Sequence, residues 1–118
     1  MIRVEGYAMG SRLLVLIATA DREKALAGLM YARNVLKNKG LDGIKVVFFG
    51  PSEKLAAFDA EIKWFIKEIA DRGDCFACKA ISDKAGVSEK LREAGVKVEY
   101  VGTIVSNAIR EGYQPMVW

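Results

Sequence analysis

The sequence contains no histidine. That absence removes the Ser/His and Cys/His nucleophile pairs and every His-containing zinc or iron site, so any chemistry must proceed without imidazole. Cysteine occurs only twice, at Cys75 and Cys78. Two cysteines without a signal peptide are too few for a secreted disulfide framework and read as thiols of a reducing compartment, which makes the expected location cytoplasmic. Long apolar runs are also missing: the longest, Leu13 to Ala18, falls far short of the roughly 20 residues of a membrane helix. Charge of one sign is not concentrated either. Eighteen Lys and Arg against fifteen Asp and Glu leave +3, well below the clustered basic footprint of a nucleic-acid binder. Neither G-x-G-x-x-G after a first strand nor G-x-x-x-x-G-K-[ST] occurs, so no phosphate-binding loop is recognisable. No metal, cofactor, nucleic acid or membrane is expected as a partner.

What is present is apolar material arranged in alternation. The chain has 118 residues, 52% of them apolar and only two of them proline, enough for the core of one domain. Leu13 to Ala18 is an unbroken aliphatic run, the pattern of a strand buried on both faces of a parallel sheet. Asp21 offers a helix start, and Ala25, Leu26, Leu29, Ala32 and Leu36 recur at helical spacing up to Gly40, the expected terminator. A second run, Ile44 to Phe49, ends at Gly50-Pro51-Ser52. Ser52 is the expected cap of a helix with the stripe Leu55, Phe58, Ile62, Phe65 or Ile66, and Ile69. Asp74 to Cys78 reads as a short strand running into Lys79 to Ala85. Ser88 then caps a short helix over Glu89 to Ala94, Val96 to Val101 alternates as a strand ended by Gly102, and a last helix spans Thr103 to Glu111. Pro115 to Trp118 is a terminal edge strand. Five strands alternating with helices predict a single three-layer α/β/α sandwich around a mostly parallel five-stranded sheet, over residues 11–118, preceded by a loosely ordered leader at 1–10.

In such sheets ligands bind beyond the carboxyl ends of the strands. The expected crevice is therefore lined by Thr19, Ala20, Asp21, Gly50, Pro51, Lys79, Gly102 and Thr103, with Cys78 as its nucleophile. If a helix starts at Lys79, free backbone N–H groups and the positive end of the helix dipole favour a thiolate at Cys78. Cys75 is the candidate second thiol. C-F-A-C invites a dithiol reading, but an extended strand separates positions i and i+3 by roughly 10 Å, beyond the roughly 7 Å reach of a disulfide. The carboxylates Glu61, Glu68, Asp71 and Asp74 read as surface charge. Trp64 lies off the apolar stripe, and with Tyr113 and Trp118 it suggests a subunit contact.

Three stretches carry a family likeness: Cys78-Lys-Ala-Ile-Ser-Asp-Lys-Ala-Gly-Val87, Gly95-Val-Lys-Val-Glu-Tyr-Val-Gly102, and Ile109-Arg-Glu-Gly-Tyr113 before the last strand. In this order and spacing, and with the first strand and its following loop, the chain resembles the DsrE/DsrF-like sulfur-relay superfamily over residues 11–118. The resemblance implies a three-layer α/β fold, homo- or hetero-oligomeric assembly, of which a homo-oligomer is expected here, and sulfane sulfur carried on Cys78 as a persulfide or thiosulfonate. The partners it implies are donor and acceptor thiol proteins or small sulfur compounds, and the activity that of a sulfurtransferase or sulfur carrier. It assigns no role to Cys75. Two other classes stand beside it: a C-x-x-C dithiol oxidoreductase, and a cysteine-independent small-ligand or interaction module.

Overall fold

Five parallel strands and six helices make up the described part of the chain, residues 10–118 of a computed structural model. The expected leader, apart from Gly10, lies outside the described residues. In chain order the elements are β1 (Arg12–Ile17), α1 (Arg22–Asn38), β2 (Gly43–Phe48), α2 (Ser52–Phe58), α3 (Ala60–Ala70), β3 (Asp74–Cys78), α4 (Lys79–Ala85), α5 (Ser88–Glu93), β4 (Lys97–Glu99), α6 (Val101–Arg110) and β5 (Tyr113–Val117). The sheet order is β4-β3-β2-β1-β5, with every neighbouring pair parallel. The predicted sandwich is the observed fold. No helix of the described residues is long and apolar enough to cross a membrane.

The continuous aliphatic run at β1 follows from its position between β2 and β5, where both faces are covered. Leu13, Val15 and Ile17 enter the larger core beneath α1, α3 and α5, while Leu14 enters the smaller one beneath α6. The same alternation sorts β3, sending Cys75 and Ala77 to the larger core and Phe76 and Cys78 to the smaller. Gly28 of α1 lets helix and sheet approach. A Cβ there would lie 2.7 Å from both Ile17 Cδ1 and Trp118 Cδ2, so the helix depends on that glycine to seat the terminal Trp118 ring.

Several boundaries differ from those read in the sequence. The stripe assigned to one helix belongs to two, broken at Asp59. There the backbone is extended (φ −85°, ψ 121°) and the carboxylate accepts hydrogen bonds from the N–H groups of Glu61 and Ile62, starting α3 afresh. The break changes the phase: Phe58 is 62% exposed, and Ala56 and Ala57 take the inner face of α2. Ser52 and Ser88 are first helical residues rather than caps. Ser52 Oγ donates to the Ile17 carbonyl and Ser88 Oγ to Asp83, because both hydroxyls are buried and must find partners inside. At the end of α1 the left-handed residue is Lys39 (φ 53°), not Gly40. β4 is only three residues long, and Gly102, expected to end it, is the second residue of α6, since the chain turns into helix at Val101. Asp21 does cap α1, accepting from Glu23 and Lys24 at 3.0 and 3.1 Å.

Candidate functional site

Parallel strands bring β1, β2, β3 and β4 to a common carboxyl end. Cys78 is the last residue of β3 and immediately precedes α4, which begins at Lys79 as the sequence required. Its backbone is extended (φ −71°, ψ 116°) and its side chain makes no capping hydrogen bond. The residue retains 8% exposure and packs with Leu14, Val47, Phe76, Val101 and Ala108, and with the partly buried Ile81. The unpaired first-turn N–H groups of α4 start beside it. Cys75 faces the other side of the sheet, is 2% exposed, and burial together with the neighbouring Asp74 charge pushes its thiol up to about 12. The two free cysteines therefore occupy different cores.

A cavity of about 700 Å³, within the range of small-molecule sites, opens at this end. It brings together Ala20, Gly50 and Pro51 of the expected crevice. Its remaining lining comes from α2, the α2–α3 junction and α4: Glu53, Lys54, Leu55, Phe58, Asp59, Ile81 and Ala85. The other expected residues, Cys78 among them, do not line it. Thr19 Oγ1 accepts the N–H of Asp21 at 2.9 Å, and Asp21 is committed to the start of α1. Lys79 pairs with Asp83 at 2.5 Å, with its ammonium 5.6 Å from the centre of the Tyr100 ring. Gly102 and Thr103 occupy the exposed first turn of α6 and do not line the cavity.

Glu53 is the group that the sequence reading missed. It is fully buried, yet it lines the cavity. Gly50, at φ 83°, makes a turn that other residues rarely adopt, and its N–H donates to Glu53 Oε2 at 3.2 Å. Burial pushes the carboxyl up to about 7, against the opposing effect of the Gly50 and Cys78 backbone N–H groups. Oε1 has no hydrogen-bond partner among the described residues. A signal for this placement exists: Glu53 lies three and four residues before Ala56 and Ala57, in phase with the small residues rather than with Leu55 and Phe58.

The surface charges behave as expected. Glu68 pairs with Arg33 and Arg72, Glu61 and Asp59 with Arg22, and Asp74 with Lys45 and Lys97. Trp64 is 50% exposed, edge-on to Phe65 and beneath the Arg33 guanidinium at 5.3 Å. No group of three or more metal-ligating side chains occurs among the described residues.

No protein-family model and no curated protein matches the chain. Solved structures do. A conserved protein of unknown function, BT1422 from Bacteroides thetaiotaomicron, is 23% identical with a TM-score of 0.78, over 89% of this chain and 93% of that one. The ychN protein from E. coli is 10% identical with a TM-score of 0.72, over 92% and 99%. MTH1491 from Methanobacterium thermoautotrophicum, also of unknown function, is 16% identical with a TM-score of 0.69, over 92% and 99%. At these identities the likeness is one of fold, and the fold is that of the ychN protein.

Proposed function

We propose that this protein is a sulfur-relay protein that accepts and passes on sulfane sulfur at Cys78. The observation that carries the reading is the position of Cys78: the last residue of β3, at the carboxyl edge of the sheet, directly before α4, in a chain with the ychN fold. The motif likeness to the DsrE/DsrF-like superfamily supports the same residue. In the proposed step the Cys78 thiolate attacks the outer sulfur of a donor persulfide, R–S–SH. A new S–S bond forms at Cys78, the donor S–S bond breaks, and R–S⁻ leaves and takes up the proton given up by the Cys78 thiol. Electrons balance without an external oxidant. An acceptor thiolate repeats the exchange on the Cys78 persulfide, so neither imidazole nor metal is needed. We take the protein to act in the cytoplasm as a homo-oligomer, as sulfur carrier or sulfurtransferase, with thiol proteins or small sulfur compounds as donor and acceptor.

The dithiol alternative gains no support from the geometry, because Cys75 and Cys78 belong to different faces of β3. Exposure to polysulfide, thiosulfate or tetrathionate followed by intact mass and peptide mapping tests the relay. Sulfur adducts should map to Cys78 and leave Cys75 unmodified. Equal modification of both, or adducts confined to Cys75, would sink the reading, as would insulin reductase turnover lost in both Cys75→Ser and Cys78→Ser.

A further inference from the structure

Glu53 is the one acidic or basic side chain that is buried among the described residues, and the sulfur exchange written above gives it no part. Its place is set by two strand ends. β2 and β3 run parallel with Phe48 opposite Ala77, so one step further the end of β2 at Phe49 and Gly50 lies beside Cys78. Gly50, in its positive-φ turn, donates its N–H to Glu53 Oε2 at 3.2 Å, and the backbone N–H of Cys78 acts on the same carboxyl group from the end of β3. The Cys78 side chain belongs to the smaller core. Glu53 therefore meets the backbone of the nucleophile rather than its sulfur.

No charged side chain contributes to the state of this carboxyl group. On α4, Lys79 and Asp83 pair with each other, and Lys84 is exposed. On α5, Arg92 pairs with Glu89, and the Lys90 ammonium lies over the Phe58 ring. At the start of α3, Asp59 and Glu61 face Arg22; on β2, Lys45 reaches Asp74; Lys54 of α2 itself is exposed. An ionised Glu53 is thus compensated by backbone dipoles alone, in surroundings that solvent does not screen. A thiolate or persulfide anion on Cys78 would place a second negative charge at the same strand-to-helix junction, and two anions in a water-poor interior oppose each other.

We infer that Glu53 is a positioning residue for Cys78: its carboxyl group ties the Gly50 turn to the Cys78 backbone, and its proton decides whether the junction already holds a negative charge when sulfur on Cys78 becomes anionic. Protonated, Glu53 leaves the junction open to the anionic sulfur; ionised, it works against it. The meaning of this for sulfur transfer rests on the relay proposed above, whereas the tie between Glu53 and the Cys78 backbone does not.

Amide spectra of the 15N-labelled protein, recorded from pH 5.5 to 8, test the tie. The Gly50 and Cys78 resonances should move together with a common midpoint near 7, a midpoint absent from Glu53→Gln. Iodoacetamide alkylation of Cys78, read by peptide mapping, tests the charge. At pH 8 Glu53→Gln should react roughly threefold faster than wild type or more, the effect of half a unit in an acidity constant; at pH 6, where wild-type Glu53 is protonated, the two rates should agree within about twofold. A Cys78 amide that does not follow Gly50, a wild-type spectrum without a midpoint in this range, or a rate ratio that is the same at pH 6 and pH 8 would each overturn the assignment. The wild-type titration needs no variant, so it decides the matter even if Glu53→Gln folds poorly. Co-titration of the two amides in a protein that takes up no sulfur on Cys78 would remove the relay and support the tie.

Discussion

Replacing Glu53 by Gln isolates the energetic consequence of burying a carboxyl group in the wall of the cavity. The carboxyl is pushed from 4.5 up to about 7, chiefly by desolvation. A folded-state pKa above the unfolded value means that the native state holds the proton more tightly. The protonated carboxyl is accommodated below pH 4.5, and stability declines as pH rises through 7, where the native state has to ionise a buried group. The displacement corresponds to on the order of 3 kcal/mol. Gln has nearly the same shape, can still accept the Gly50 N–H, and cannot ionise. Urea unfolding at intervals from pH 5 to 8.5 should therefore show the wild-type midpoint falling by about 1–2 M, taking a slope of about 2 kcal/mol/M, while Glu53→Gln stays nearly level.

The sequence makes this window unusually clean. There is no histidine to titrate in it. Asp59 and Asp83, whose pKa values are lowered by Arg22 and Lys79 respectively, contribute stability that is present above their ordinary value of 3.8 and lost only below it. Asp74 behaves likewise, because Lys97 and Lys45 outweigh the opposing effect of its partial burial. The side chain that accounts for a decline between pH 5 and 8.5 is thus Glu53. Parallel wild-type and Glu53→Gln profiles would refute the reasoning, whichever protein were the more stable.

Other substitutions probe the framework. Cys75→Ser should lower the unfolding free energy by about 1–2 kcal/mol, since it places a hydroxyl in an apolar core, while polysulfide labelling of Cys78 is retained. Gly28→Leu should cost about 2 kcal/mol by overpacking against Ile17 and Trp118, with Trp fluorescence reporting the displaced ring. Asp59→Ala should cost about 1 kcal/mol through loss of the α3 cap, and Asp59→Asn should restore most of it; equal losses in the two would show that the Arg22 ion pair, not the cap, matters. Sedimentation at micromolar concentration should show a homo-oligomer in which iodide quenches Trp64 fluorescence poorly; a monomer with freely quenched tryptophan would contradict that expectation.

The strands were legible because each is a short apolar run stopped by a turn, and a run buried on both faces leaves little room for another reading. β1 and β2 were located in this way to within a residue or two. Helix boundaries were less legible where two devices compete at one site. Asp59 reads as a polar interruption of a stripe, whereas its carboxylate caps a new helix and resets the phase by which Phe58 was assigned to the core. Gly102 reads as a stop because glycine often is one. In a helix first turn nothing forbids it, and a Cβ there would meet no atom within 4 Å.

The site divides along the same line. The place of Cys78 at a strand-to-helix junction was legible, since the end of a parallel strand is defined by the strand itself. Glu53 was hidden by its chemistry, because charged residues are mostly exposed and a Glu next to a Lys at the start of a helix is ordinarily surface. Its phase with Ala56 and Ala57 carries the opposite message: on a seven-residue helix whose inner face is built of alanines, there is space beside the sheet for a longer side chain. Small residues at i+3 and i+4 thus create the volume that Glu53 occupies, and the turn at Gly50 supplies the N–H that holds one of its oxygens. The second oxygen has no counterpart in the sequence pattern. Local sequence explains why the carboxyl group enters the interior, where the backbone N–H groups of Gly50 and Cys78, from the ends of β2 and β3, oppose the cost of burying it.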